Sequence, residues 1–175
     1  MSTIAYKDGY VAADSMSTSA SCGINDQTPK LFPLFDGSLV ALLGHYASTY
    51  PFYHWLLTMS QREGNDYDTF MHDPSAFNGK WPKLNDEASV VWFVAAGIYE
   101  FESEGWEFME LDHKTTNLEY AWGSGAQYAR GAMRFGATAE QSVHAAIQLD
   151  IYTGGKVSYQ KVPHHTLPTQ EQADV

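Results

Sequence analysis

Ser2 follows Met1. A methionine ahead of a small residue is a good substrate for methionine aminopeptidase, and its removal leaves Ser2 with a free α-amine beside its own hydroxyl. An α-amine titrates at about 7.7–8.0. At neutral pH it can therefore take the proton of that hydroxyl, directly or through a water, so that one residue supplies both nucleophile and base. A Met-Ser start is also common in chains with no such chemistry, so the reading depends on what other residues stand around it.

Five further features bear on it. Asp14 and Lys30 fall at strand positions of the opening segment. A lysine beside a terminal amine would lower the amine's pKa by like-charge repulsion, and a buried lysine needs a carboxylate partner such as Asp14; the same two residues also fit a solvent-facing pair. Gly44 ends an apolar run, where a glycine lets a backbone N–H approach an oxyanion closely or simply makes a turn. Ser124, inside Gly123-Ser124-Gly125, fits a helix N-cap or a hydroxyl lent to a site at that helix start. Asp150 and Thr153, three apart at a helix end, could hold a terminal amine by hydrogen bonds or merely stop the helix.

Composition narrows the function classes. With 10 Lys plus Arg against 21 Asp plus Glu, the formal net charge is -11, which disfavours nucleic acid and anionic membrane surfaces, both of which want clustered cations. Hydrophobic residues make up 44% and charged residues 18%, a balance that supports a packed core rather than disorder. Cys22 has no second cysteine to pair with, so it reads as a small thiol rather than a disulfide or zinc ligand. No apolar run is long enough for a transmembrane helix, and no basic-then-apolar leader opens the chain; the expected compartment is the cytoplasm. His164-His165 lacks a ligand framework, and there is no P-loop or dinucleotide fingerprint, so no cofactor or metal is expected.

The elements that would position these residues can be read from pattern. Residues 2–6 and 10–13 form a hairpin around Asp8-Gly9. Residues 15–28 read as a loop or irregular strand pair. Residues 30–35 form a strand whose Pro33 marks an edge or bulge, and Asp36-Gly37 turns it into a buried strand over 38–43. Pro51 suits the first turn of a helix running to about residue 62, with Phe52, Trp55, Leu56 and Met59 on one face. Residues 64–87 read as a long polar excursion. Residues 88–96, 98–102, 106–111 and 117–122 look like an antiparallel meander. A helix of small residues then runs to Gly136. A second follows behind a Thr138/Gln141 capping box, ending near Asp150. Residues 156–162 alternate as a final strand. This order predicts an α+β fold, a four-layer αββα sandwich of two mainly antiparallel sheets flanked by helices. It forms one domain over 1–162, with a polar tail over 163–175.

Taken together, the segments resemble one family. Ser-Thr-Ile-Ala at 2–5, Ala-Ala-Asp at 12–14, Lys30 before an apolar strand and Leu-Val-Ala-Leu-Leu-Gly at 39–44 look like the proteasome β-subunit/HslV family of N-terminal-nucleophile hydrolases. Trp-Gly-Ser-Gly-Ala-Gln-Tyr-Ala at 122–129 resembles that family's helix-opening motif, and Asp-Ile-Tyr-Thr-Gly-Gly at 150–155 its Asp-x-x-Ser/Thr-Gly-Gly turn. Residues 64–111 carry no matching motif. By position the resemblance implies Ser2 as nucleophile, Asp14 and Lys30 as the acid and lysine, Gly44 as the oxyanion glycine, Ser124 as the serine near the site, and Asp150 and Thr153 as the pair orienting the amine. It further implies a compact bacterial or phage type, a homo-oligomeric ring, hydrolysis of peptide or unfolded protein in its chamber, and in many members an ATP-dependent unfoldase partner. Two alternatives share the fold: an inactive ring-forming scaffold, and a small-molecule amidase. The chain departs from the family in having Ser rather than Thr as nucleophile, and in the bulky His45-Tyr46 pair where small residues are usual.

Overall fold

A computed structural model describes residues 2–19, 23–61, 65–77, 80–111 and 118–162. Met1, Cys22, His164-His165 and the tail lie outside them. The chain opens with β1 (Thr3–Lys7) and β2 (Tyr10–Ala13), joined at Asp8-Gly9. Both turn residues have positive φ, +50° and +82°, the backbone of the two-residue turn whose twist matches that of the flanking strands. The short β3 (Ser17–Ser19) and β4 (Gly23–Asn25) pair with each other. β5 (Leu31–Pro33) then pairs with β6 (Leu39–Gly44) through a loop closed by Leu34 N–H donating to the Ser38 carbonyl at 2.8 Å. Pro33 sits on the sheet edge, where a missing N–H costs no ladder bond.

α1 (Tyr46–Ser60) begins five residues before the position expected from Pro51, which lies inside it. The stretch ahead of the proline is held by ring contacts instead of a side-chain cap: Tyr46 stacks on Tyr50 at 5.0 Å between centroids, and Tyr50 meets Phe32 edge-on at 6.5 Å. The expected excursion over 64–87 is corrected in part. It contains α2 (Asn65–His72) and a single-turn 3-10 helix at Pro74–Ala76. Among the described side chains of α2, Tyr67 and Phe70 are buried, and Phe70 packs its ring against Trp55, Trp81 and Phe101 within 5.7 Å. β7 (Ala88–Val94), β8 (Gly97–Glu102) and β9 (Gly105–Glu110) continue the meander. The fourth expected strand, β10 (Glu119–Gly123), leaves it and pairs antiparallel with β1. α3 (Ala126–Arg134), α4 (Ala139–Leu149) and β11 (Ser158–Lys161) complete the chain. The Thr138/Gln141 capping box opens α4 as expected.

Among the described residues, two larger antiparallel sheets stand beside the β3-β4 pair, one ordered β5-β6-β7-β8-β9 and one β10-β1-β2-β11. Strand alternation sends successive side chains to opposite faces, and three apolar layers follow from it. Val40, Leu42, Val90 and Trp92 face α1 and α2. Ile4, Val11, Leu43, Val91 and Phe93 meet between the sheets. Ala5, Ala12 and Ala121 face Ala129, Ala139 and Ala146 of α3 and α4, a layer of small side chains that lets the helices lie close to the sheet. The architecture is the αββα sandwich expected from the order of elements. No described helix is long and apolar enough to cross a membrane.

Candidate active site

Ser2 is 5% exposed. Its carbonyl accepts the Ser124 N–H at 3.0 Å, one step beyond the β1–β10 ladder. Alternation from Ile4 sends the Ser2 side chain to the face between the sheets, where it lines a cleft of about 380 Å³ with Leu43, Gly44 and Ser124. Among the described residues no hydrogen bond reaches the Ser2 hydroxyl. Thr3, on the opposite face, is held by Asp14.

The Asp14 carboxylate is fully buried and accepts four donors. Oδ1 takes the Thr3 N–H at 2.8 Å and Lys30 Nζ at 2.6 Å; Oδ2 takes the Met16 N–H at 3.2 Å and the Gly154 N–H at 3.1 Å. Four acceptances fill a carboxylate's capacity. Lys30, 4% exposed, also donates to the Met16 carbonyl at 2.7 Å. Burial pulls its amine below the ordinary lysine value, and the charge and hydrogen bond of Asp14 offset this in part. The two residues therefore form the buried ion pair rather than a solvent-facing one.

A second network is directed from end to end. Asp150 Oδ2 accepts from Thr153 Oγ1 at 2.6 Å, and Thr153 Oγ1 lies 2.6 Å from Thr3 Oγ1. A carboxylate can only accept, so Thr153 spends its proton on Asp150 and Thr3 must donate to Thr153. Thr3 Oγ1 in turn accepts the Gly125 N–H at 3.0 Å. The line runs from the N-terminus of α3, through β1, to the end of α4. Burial raises the Asp150 carboxyl, but the hydroxyls of Thr153 and Ser124 and the Tyr152 N–H outweigh it and hold it below its usual value. Ser124 Oγ is buried without a hydrogen bond of ordinary geometry, although it stands within electrostatic reach of Asp150. It is not the helix cap: the N-cap of α3 is Gly125, with no side-chain bond.

The structure thus brings Ser2, Gly44 and Ser124 to one cleft, ties Asp14 and Lys30 to the backbone just after Ser2, and joins Asp150 and Thr153 to the same strand. Sequence reasoning missed Thr3, Gly123 and Gly125. Gly123 has φ of +89°, and a Cβ there would stand 1.8 Å from the Ser2 carbonyl oxygen; one at Gly125 would stand 2.3 Å from Thr3 Oγ1. The Gly-Ser-Gly triplet was the available signal, but it reads equally as a helix start. Gly44 has φ of +78°, and its Cβ would lie 1.7 Å from the Glu87 carbonyl oxygen. Gly44→Ala is therefore expected to destabilise the fold by about 2 kcal/mol or more, a fall of roughly 4–8 °C in Tm for a chain this long. Thermal unfolding checks this, and an unchanged Tm would show that the conformation needs no glycine. Among the described residues no group of three or more His, Cys, Asp or Glu side chains is placed to hold a metal ion.

The same arrangement of sheets and helices occurs in solved structures. Eukaryotic HslV from Trypanosoma brucei superposes with a TM-score of 0.63 at 17% identity, over 93% of this chain and 99% of that one. BPH from Thiobacillus denitrificans superposes at 0.61 both in complex with epoxomicin (20% identity) and alone (19% identity), each over 93% of this chain and 98% of that one. No protein-family model matches the sequence, and no curated protein matches it significantly. The chain has the N-terminal-nucleophile hydrolase fold. Within that fold class its architecture is of the proteasome/HslV type.

Proposed function

We propose that the chain is an N-terminal-nucleophile peptidase, a single catalytic domain over residues 1–162 that works in a homo-oligomeric ring in the cytoplasm, with peptide or unfolded protein as substrate and an ATP-dependent unfoldase as its feeder. The observation that carries this reading is the position of Ser2, whose buried side chain lines a cleft with Gly44 and Ser124. Once Met1 is removed, Ser2 Oγ attacks the scissile carbonyl carbon and its proton passes to the α-amine. Lys30, held by Asp14, places positive charge near that amine and keeps it neutral enough to act as base. The Gly44 N–H donates to the oxyanion of the tetrahedral intermediate. Asp150, Thr153 and Ser124 orient the amine. The departing amine of the substrate takes the proton, an acyl-ester remains on Ser2, and water releases it by the same steps in reverse order.

The test is intact-mass spectrometry before and after incubation with epoxomicin, the ligand of the similarly folded BPH. Loss of Met1 and one stoichiometric adduct mapping to Ser2 is the expected result. A processed chain that takes no adduct and cleaves no peptide would instead be a ring scaffold, and a labelled chain that cleaves only small amides would be an amidase.

A further inference from the structure

The wall of the Ser2 cleft opposite Ser124 is acidic. β8 alternates so that Ile98, Glu100 and Glu102 share the face turned toward the other sheet, and Ile98 belongs to the apolar layer there. At the open end of the strand the layer gives way to carboxylates. Glu100 and Glu102 line the cleft, with Asp86 and Glu87 from the segment before β7. No Lys, Arg or His lines it among the described residues. Glu100 and Glu102 also line an adjoining depression of about 310 Å³ together with Glu104 and Glu107.

These carboxylates are set against one another. Glu100 stands directly across the ladder from Glu107, and like charges directly opposite destabilise a strand pair. Trp122 Nε1 donates to Glu100 Oε2 at 2.8 Å and fixes that side chain in the wall. Burial raises the Glu100 carboxyl, the Trp122 bond lowers it, and the charges of Glu102 and Glu107 raise it further. Beside this wall stand Ser2, 5% exposed, and the buried Ser124 Oγ, and among the described residues no hydrogen bond of ordinary geometry reaches either hydroxyl. A concave site with crowded carboxylates and two serine hydroxyls in its lining wants an occupant that carries positive charge and hydrogen-bonding groups. The carboxylates do not converge as a metal site does, so an extended organic cation fits better than a bare ion.

We propose that this cleft holds the guanidinium or ammonium group of a substrate side chain close to the scissile bond, making the chain selective for Arg and Lys there. The inference rests on the peptidase reading for the meaning of the cleft, but the binding it asserts can be measured without turnover. The experiment uses the full chain carrying Ser2→Ala and fluorescein-labelled heptapeptides in which a single arginine, or its neutral isostere citrulline, is moved along the sequence. At the best position the arginine peptide is expected to bind about tenfold more tightly. The ratio should fall below about threefold in the Glu100→Gln/Glu102→Gln double variant, where Gln keeps an acceptor for Trp122, and in high salt. Equal binding of both peptides at every position would overturn the inference, as would a preference that survives the double substitution. The peptidase reading is judged separately, by the reaction of Ser2 with epoxomicin in the unsubstituted protein. A cleft that prefers arginine around an unreactive Ser2 would leave this inference standing and remove that one. A reactive Ser2 that ignores charge would do the reverse.

Discussion

Ser2→Ala is expected to abolish the proposed peptide hydrolysis, with a loss in kcat of at least about 10³-fold, while leaving the fold and the size of the particle in solution unchanged. The side chain removed is one hydroxyl that bonds to no described residue, whereas the backbone of Ser2 keeps its bond to Ser124 through the carbonyl. Alanine therefore loses the nucleophile and almost nothing else. Circular dichroism and size-exclusion chromatography should match the parent, and a fluorogenic peptide assay should read background. Turnover at the parental rate would place the nucleophile elsewhere and remove the mechanism proposed above.

The largest effect on stability is expected from Asp14→Ala, a loss of about 3–5 kcal/mol. The substitution strips one carboxylate from four donors: the N–H groups of Thr3, Met16 and Gly154, and Lys30 Nζ. It also removes the carboxylate that stands 2.6 Å from the buried Lys30 ammonium. Four segments meet at this group, so the damage spreads across the start of β1, the entry to β3, the residue ahead of β5 and the turn after α4. Equilibrium denaturation measures it. Asp14→Asn should fall between the parent and Asp14→Ala, because the amide keeps one acceptor but forfeits the charge. If Asp14→Ala unfolds at the same denaturant concentration as the parent, the pair is not the anchor its burial implies.

How much of this was legible beforehand depended on whether the cause was local. The turn at Asp8-Gly9 and the box at Thr138/Gln141 act within four residues, and both appear where the sequence puts them. The alternation of Leu39, Ala41 and Leu43 against Val40 and Leu42 marks a strand buried on both sides, and the two apolar layers it feeds are real. The helix over 65–72 was hidden because most of its residues are polar; what holds it is Phe70 meeting rings from α1, β8 and the following loop. The start of α1 was misplaced because Pro51 is a strong local signal, and aromatic stacking upstream overrode it. The site divides the same way. Its polar residues could be named singly, but the link from Thr3 to Thr153 spans 150 positions. The acidic wall also joins two separate segments that only the sheet ladder brings together.

The strand that carries Ser2 also works as a ruler. Register along β1 is set at Thr3↔Gly123 and Ile4↔Ala13, and a slip of one residue turns every side chain to the other face. Thr3 has a hydroxyl too, yet its face belongs to Thr153 and Gly125. If processing removed one residue too many, the new terminus would expose a threonine pointing away from the cleft, with its proton already committed to a neighbour. On the mechanism proposed above, the point of trimming therefore decides whether a terminal hydroxyl faces the cleft at all, and an error of one position would leave a well-folded protein with nothing to attack with.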